Sequence, residues 1–175
     1  MAHILSWCGL IRNPCKEGSN NPGATNVFRQ SKALGALTGL FDFLKAFLPL
    51  ILLIKYSLIN SNLLPIMGIC IVLGHVFPFY APFKGGKGVA TSLGVIVALT
   101  PITAVACILS FSLTLIILRK TGIASVYSCL FGYLFHVIYF GDHNLLYAIL
   151  ICIVIYRHHK NLSDYFYLPK NPTAT

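Results

Sequence analysis

The run F-K-G-G-K-G-V-A-T at residues 83–91 places two lysines and three glycines against apolar segments of the chain. Glycines allow backbone N–H groups to turn towards an anion and to approach it closely. A helix that begins just after the run would add the partial positive charge of its N-terminus, and each lysine adds a full charge. The run therefore predicts an anion-binding site at a membrane surface, with a phosphorylated substrate as the leading hypothesis.

Two more polar segments contain residue types that bind phosphates or polyols. Residues 17–29 read E-G-S-N-N-P-G-A-T-N-V-F-R, and residues 157–161 read R-H-H-K-N. Taken alone, the first segment is typical of turns and helix caps, and the second is typical of a basic flank that anchors a helix to lipid headgroups. The functional alternative is that Ser19 and the asparagines bind a polyol while Arg29 holds a phosphate through two hydrogen bonds.

The chain is strongly apolar and basic. It has 175 residues, of which 57% are hydrophobic and 10% are charged, and its mean hydropathy is +0.78. These values are typical of an integral membrane protein. The net charge of +9 favours membrane lipids and phosphorylated substrates as partners. Nucleic acid is not expected, because no basic stretch combines with enough polar surface to form a binding face.

The sequence predicts neither a metal site nor a nucleotide site. The six cysteines show no C-x-x-C spacing, and four of them lie in apolar stretches, so they are interpreted as small core residues. His158 and His159 are adjacent, and adjacent side chains point apart on a helix. The glycine-lysine run also lacks the Lys-Ser or Lys-Thr pair of a Walker A loop, so nucleotide hydrolysis is not indicated.

Long apolar stretches predict the elements that must position the polar segments. They occupy residues 33–59, 63–79, 89–118, 123–140 and 145–156. Pro101 would divide the third stretch into two helices, which gives six membrane segments. With six, every basic cluster except Lys55 falls on one side of the membrane, as the positive-inside rule favours.

The predicted fold is therefore an all-α, polytopic membrane helix bundle with about six membrane segments. It forms a single domain over residues 1–175, with 1–32 and 157–175 on the cytoplasmic side and 33–156 in the membrane.

The ionisable residues within the apolar stretches include Asp42, Lys45 and His75. Asp42 and Lys45 are three positions apart, so they are neighbours on one helix face. Charges at membrane depth usually pair or face the bundle interior, so we expect a structural ion pair here in preference to a substrate contact. His75 stands alone on an apolar segment and is interpreted as a core residue.

Together the polar segments resemble the motifs of the bacterial membrane family of acyl-phosphate:glycerol-3-phosphate acyltransferases. The family motif G-S-G-N-x-G-A-T-N-x-x-R is matched by residues 18–29, and G-H-x-(F/Y)-P…F-K-G-G-K-G-V-A-T is matched by residues 74–91. The motif R-H-x-x-N-I is matched by Arg157, His158 and Asn161, with Leu162 in the last place. The similarity extends from about Lys16 to Leu162.

This resemblance implies transfer of a fatty acyl group from acyl phosphate to the sn-1 hydroxyl of glycerol 3-phosphate. The products are lysophosphatidate and phosphate, in the first step of phospholipid synthesis. No acyl-CoA, metal, nucleotide or other cofactor would be required. The resemblance also implies a multi-pass protein of the bacterial inner membrane with its active site facing the cytoplasm. The alternative is a degenerate, non-catalytic homologue that binds anionic lipid or glycerol phosphate.

The resemblance also assigns roles to individual residues. The catalytic set would be Ser19, Arg29, Lys87, His158 and Asn161. The substrate-binding set would be Asn21, Thr25, Asn26, Lys84, Gly85, Gly86 and Gly88. A mixed anhydride has a good leaving group, so positioning and cations around the phosphate can supply most of the catalysis. The hydroxyl proton would pass either to the donor's own phosphate or to neutral His158.

The chain departs from the family pattern in three places. The family's first membrane crossing is missing, which predicts a shortened homologue or a misplaced start codon. Asn20 replaces a family glycine, and the loop would be distorted if this position needs a positive φ, although asparagine tolerates that region best after glycine. Asp164 and Lys170 replace an arginine and a glutamate, and if those two pair in relatives, this chain would keep the ion pair with its charges exchanged.

Overall fold

The computed structural model describes residues 1–81, 84–141 and 144–166. Regular secondary structure in these residues is helical. The helices are α1 (Ala2–Trp7), α2 (Ala24–Gln30), α3 (Lys32–Lys55), α4 (Leu64–Val76), α5 (Val89–Leu99), α6 (Pro101–Leu118), α7 (Thr121–Tyr139) and α8 (Asn144–Phe166), with a 3-10 turn at Ser61–Leu63 before α4.

Helices α3 to α8 coincide with the six predicted membrane segments. Three of them, α3, α6 and α7, are long and apolar enough to cross a membrane by themselves, whereas α4 and α5 are shorter apolar helices. Helix α8 is apolar in its first half and polar from Arg157 onwards. The predicted all-α membrane bundle is confirmed, and the number of complete crossings stays a prediction.

The predicted break at Pro101 is confirmed. Helix α5 ends at Leu99 and α6 begins at Pro101, with Thr100 between them in a non-helical conformation. Proline suits the first position of a helix because its missing N–H would have no intrahelical acceptor there. One apolar stretch therefore folds into two helices that can turn back on each other.

Close approach of small residues holds the bundle together. Helix α3 packs on α5, and α6 packs on α7, which also contacts α8. At Gly94 the backbone of α5 lies so close to α3 that an added Cβ would collide with the carbonyl of Phe43. Between α6 and α7, the Ser128 hydroxyl donates a hydrogen bond of 2.7 Å to the carbonyl of Cys107. Small residues and interhelical hydrogen bonds of this kind stabilise helix pairs in membranes.

The interpretation of the cysteines as core residues holds only in part. Among the four in apolar helices, Cys107 is buried and Cys129 is partly buried, whereas Cys70 and Cys152 are exposed. The exposed pair lies on outward-facing sides of α4 and α8, where a small apolar side chain can face lipid. Apolar sequence alone does not distinguish such a side from the interior of the bundle.

The predicted ion pair within α3 is confirmed. The Lys45 ammonium lies 2.8 Å from the Asp42 carboxylate, and Asp42 is 4% exposed. A buried carboxylate is costly unless it has a partner, which Lys45 supplies.

Candidate functional site

A cavity of about 540 Å³ collects residues from all three polar segments. Its lining includes Ser19, Asn21, Thr25, Arg29, Lys87, Gly88, His158 and Asn161 from the predicted site. These residues come from the loop between α1 and α2, from α2 itself, from the loop that leads into α5 and from α8 near its end. The structure therefore brings eight of the twelve predicted residues, from all three polar segments, to one cavity.

The N-terminal loop, residues 12–23, depends on two left-handed backbone positions. Gly18 has φ +61° and Asn20 has φ +54°. The position at which the chain departs from the family glycine thus does need a positive φ, and asparagine adopts it. Asparagine is one of the few non-glycine residues that are enriched in this region, so the substitution preserves the backbone of the loop.

Asn26 stabilises this loop through hydrogen bonds to its backbone and does not line the cavity. Its Nδ2 donates to the carbonyls of Pro14 at 3.0 Å and Glu17 at 2.9 Å, and its Oδ1 accepts from the Ser19 backbone N–H at 3.1 Å. The side chain is 2% exposed. The structure thus places Asn26 where it orients Ser19, whereas the sequence predicted it among the substrate-binding residues.

We expect Asn26→Asp to loosen the N-terminal loop. The carboxylate would lose both N–H donors and would face two carbonyl oxygens, and leaving such buried groups unsatisfied costs about 1–3 kcal/mol. Thermal unfolding in detergent and limited proteolysis of the loop would measure the effect. The matched control is Asn13→Asp, because exposed Asn13 only accepts a hydrogen bond from the Cys15 N–H and aspartate can do the same. Equal stability of the two variants would contradict the prediction.

The glycine-lysine loop, residues 84–88, approaches α4 closely and then starts α5. Gly88 is the N-cap of α5 and has φ +85°, a conformation that glycine adopts without strain. A Cβ at Gly85 would collide with the carbonyls of His75 and Val76, and one at Gly86 would collide with the His75 ring. The glycines are therefore required for contact with the end of α4, and Gly88 turns the N-terminus of α5 towards the cavity.

The two lysines of this loop have different surroundings. Lys87 is partly buried, lines the cavity and donates a hydrogen bond from Nζ to Oδ1 of Asn161. Lys84 is exposed and does not line the cavity, and its carbonyl oxygen lies 2.9 Å from Nε2 of His3. Of the two predicted cations, only Lys87 is thus aimed at the cavity. Gly85 and Gly86 are buried beside the cavity and are not part of its lining.

The pKa of Lys87 is lowered to about 8, mainly by burial and also by the nearby positive charges of Arg157 and Arg29, against a smaller opposing effect of Asp164. A partly buried ammonium close to other cations favours binding of an anionic ligand. The anion offsets both the cost of burying the charge and the repulsion between the cations. The cavity mouth is therefore electrostatically suited to phosphate.

One face of α8 contributes the third polar segment. Arg157 Nη2 donates to the carbonyl of Gly85 at 2.7 Å, and Asn161, four residues on, contacts Lys87. His158 is 2% exposed, and its Nδ1 lies 2.8 Å from the carbonyl of Val154. A carbonyl only accepts, so Nδ1 carries the proton and Nε2 is the acceptor in the neutral ring.

Of the predicted ion pair between Asp164 and Lys170, the structure describes only Asp164. Asp164 is exposed in the last turns of α8 and acts electrostatically on Lys87. Lys170 lies outside the described residues, so the predicted pair with exchanged charges stays a prediction.

The other end of the cavity is apolar. It is lined by Leu93 and Ile96 of α5, Cys107, Ile108 and Phe111 of α6, and Cys129 of α7. The cavity thus joins a cationic, hydrogen-bonding end to an apolar arm between three helices. This form suits an amphipathic ligand with a phosphate-bearing head and a hydrocarbon chain.

The residues that line the cavity but were not among the predicted site residues include Asp42, His75 and Gly122. Asp42 and His75 were interpreted as structural residues of apolar helices, and Gly122 drew no attention, yet all three line it. An added Cβ at Gly122 would lie 2.8 Å from Nδ2 of Asn161. Two signals were available: charge at membrane depth, which generally marks functional positions, and, for His75, its place in the motif over residues 74–91. The glycine gives no signal, since its importance depends on a neighbour from another helix.

Comparison with known proteins adds independent information. Residues 2–167 match the family described as glycerol-3-phosphate acyltransferase. The chain is 34% identical over 168 residues to a protein named glycerol-3-phosphate acyltransferase from Paraburkholderia phytofirmans, with 93% of this chain and 78% of that protein covered. It is 38% identical over 149 residues to a protein of the same name from Aquifex aeolicus, with 83% of this chain and 78% of that protein covered.

Two solved structures have a similar fold. Both are crystal structures of PlsY (YgiH), described as an integral membrane glycerol 3-phosphate acyltransferase. The glycerol 3-phosphate form matches with a TM-score of 0.86 and 33% identity, covering 94% of this chain and 83% of that one. The lysophosphatidic acid form matches with a TM-score of 0.81 at the same identity and coverage.

Proposed function

Because the chain belongs to the glycerol-3-phosphate acyltransferase family, we propose that it transfers a fatty acyl group from acyl phosphate to the sn-1 hydroxyl of glycerol 3-phosphate. The products are lysophosphatidate and inorganic phosphate. The observation that carries the proposal is the cavity itself, which joins a cationic end around Lys87 and Arg29 to an apolar arm between α5, α6 and α7. An acyl phosphate has the same two parts, a phosphate and a hydrocarbon chain.

The proposed reaction depends mainly on the positioning of the two substrates relative to each other. The sn-1 hydroxyl oxygen attacks the acyl carbonyl carbon and forms the ester bond. The carbonyl carbon's bond to the phosphate oxygen then breaks, and its electron pair leaves with the phosphate. Cations placed around the leaving phosphate stabilise the charge that develops there. Lys87 and Arg29 line the cavity where they can do this.

The hydroxyl proton has two candidate acceptors. One is an oxygen of the departing phosphate, which lies next to the attacking group in any reactive arrangement. The other is Nε2 of His158, which is free to accept because Nδ1 donates to Val154. Ser19, Asn21 and Thr25 supply hydrogen-bonding groups at the same end of the cavity for the polyol.

We also propose that the protein resides in the bacterial inner membrane with the cavity open to the cytoplasm. Arg119 and Lys120 form the exposed turn between α6 and α7, directly before the cavity-lining residue Thr121. The positive-inside rule favours this side for the cytoplasm. In a variant whose six native cysteines are replaced by alanine, Arg119→Cys should therefore be labelled by a membrane-impermeant maleimide in inverted vesicles and not in intact cells, and the reverse pattern would refute the orientation.

The function is tested with purified protein in lipid. Glycerol 3-phosphate is supplied with acyl phosphate in one reaction and with acyl-CoA in another, and lysophosphatidate is measured. The proposal expects product from acyl phosphate alone, lost in Ser19→Ala. Absence of product with both donors, from protein shown to be folded, would favour the alternative of a non-catalytic homologue that binds glycerol phosphate or anionic lipid.

The lowered pKa of Lys87 predicts a basic limb in the pH profile. The ammonium is charged below pH about 8 and is lost above it, so kcat/KM should fall about tenfold per pH unit beyond that point. Phosphate groups titrate near pH 6, so the substrates do not produce this limb. Lys87→Arg should remove the limb, because a guanidinium stays charged across this range. A limb that persists unchanged in that variant would assign it to another group.

A further inference from the structure

Three ionisable side chains meet beneath the glycine-lysine loop. Lys45 lies 2.8 Å from Asp42 on α3, and Nδ1 of His75 on α4 lies 3.7 Å from the same carboxylate oxygen. The Lys45 ammonium also contacts Nδ1 of His75. The Asp42 and His75 side chains are only 5% and 9% exposed, whereas Lys45 is 37% exposed. This cluster therefore ties α3 to α4 at the floor of the cavity.

The contact with Lys45 determines which ring nitrogen of His75 carries the proton. An ammonium only donates, so Nδ1 is the acceptor and Nε2 carries the ring proton. Nε2 lies against Gly86, where a Cβ would collide with it. One edge of the imidazole ring thus faces the Asp42–Lys45 pair, and the opposite edge contacts the loop that carries Lys87.

The loop is held from the opposite direction by α8. Arg157 donates to the carbonyl of Gly85, and Asn161 contacts the Lys87 ammonium. His75 therefore supports the loop from the side of α4 while α8 holds it from the other. A shift of the ring would move Gly86, and Lys87 follows it directly in the chain.

We propose that His75, oriented by the Asp42–Lys45 pair, is a positioning residue that sets the place of the glycine-lysine loop and hence of Lys87 and the N-terminus of α5. The proposal rests on the proposed function, because the loop matters only if it binds a substrate phosphate. His75 acts through Gly86 and takes no part in the bond changes.

The charges of the cluster fit this role. Asp42 lines a cavity whose other charged residues include the cations Arg29 and Lys87, and its carboxylate would repel a phosphate if it were unpaired. Lys45 neutralises that carboxylate and at the same time directs Nδ1 of His75. Buried charges in a membrane protein persist where they serve a site, and this pair serves it by orienting the ring.

The first test is a double-mutant cycle between Gly86 and His75. Gly86→Ala alone should lower kcat/KM on the order of 100-fold, because the methyl group must displace the loop or the ring. In His75→Ala the ring is absent, so the same methyl group has room. The combined loss should therefore be far smaller than the product of the two single losses. Multiplicative losses in folded protein would overturn the proposal.

The second test separates positioning from a purely structural contact. Glutamine carries an amide nitrogen near the place of Nε2, whereas asparagine replaces only the Nδ1 side of the ring. We expect His75→Asn to raise KM for the substrate whose phosphate lies on the loop. His75→Gln should raise the same KM by a smaller factor. A residue that only holds α3 against α4 would lower the yield of folded enzyme and leave both KM values unchanged, which would overturn the proposal.

A readout without catalysis distinguishes this proposal from the proposed function. Amine acylation of Lys87 is followed by mass spectrometry, with exposed Lys84 as the internal reference, in wild type and His75→Asn. We expect acylation of Lys87, relative to that of Lys84, to be faster in His75→Asn than in wild type, because the variant no longer holds the loop in place. If that occurs while the wild type makes no lysophosphatidate, the proposed function fails and the positioning role stands. If the wild type is active but neither the labelling rate nor KM changes, only the positioning role fails.

Discussion

Lys87→Ala should lower kcat/KM for the acyl phosphate reaction on the order of 100- to 1000-fold, the range found when one donor to a developing negative charge is removed. Lys87 is the loop lysine whose ammonium reaches the cavity, and Asn161 fixes its direction. Steady-state kinetics in lipid at pH 7, where Lys87 is charged, would measure the loss. Lys87→Arg should retain part of the activity, because it keeps the charge and changes the geometry.

Two other lysines provide controls for this prediction. Lys55→Ala removes the same charge at the far end of α3 and should leave kcat/KM unchanged. Lys84→Ala should cost much less than Lys87→Ala, because Lys84 is exposed and lies outside the cavity lining. Equal losses in the Lys84 and Lys87 variants would mean that the loop acts through its total charge and not through one directed ammonium.

Gly122→Ala is expected to reduce kcat/KM on the order of 100-fold without contacting a substrate, since misplacement by about 1 Å can have an effect of that size. A Cβ at this position would lie 2.8 Å from Nδ2 and 2.9 Å from Cγ of Asn161. The asparagine would have to turn away and would release Lys87. Thermal unfolding should change little, because alanine is favourable within a helix.

The control for this variant is another helical glycine. Gly74 lies on α4 with no atom within 4 Å of an added Cβ, so Gly74→Ala should leave activity intact. The mechanism is checked by adding Gly122→Ala to Asn161→Ala, where no further loss should follow because the displaced side chain is already gone. A full additional loss in that background would show that Gly122 acts on something other than Asn161.

The helical framework was predictable because it follows from local physics. Continuous apolar stretches form helices in a membrane, and Pro101 interrupts one of them wherever it is placed. The ion pair between Asp42 and Lys45 was equally accessible, since residues three apart share a helix face. Which helices cross completely depends on how the shorter ones, α4 and α5, sit in the bilayer.

The candidate site was predictable as a set of segments but not as a set of roles. The motifs located Ser19, Lys87 and Asn161, which the structure brings to one cavity. They did not show that Asn26 points away from it or that Lys84 remains outside, because the direction of a loop side chain depends on what packs behind the loop. The contact of His75 with Gly86 likewise joins segments whose closeness no local pattern encodes.

The hydrogen bonds that hold the glycine-lysine loop span much of the chain. Gly85 and Arg157 are 72 residues apart, and Lys87 and Asn161 are 74 residues apart. During synthesis the N-terminal parts of a chain leave the ribosome first, so the loop emerges long before the residues of α8 that fix it. The candidate anion site is therefore completed only when α8 joins the bundle. A nascent chain that stops before Arg157 contains two of the three motifs and still lacks a formed site, so competence for substrate is gained at the last step of assembly.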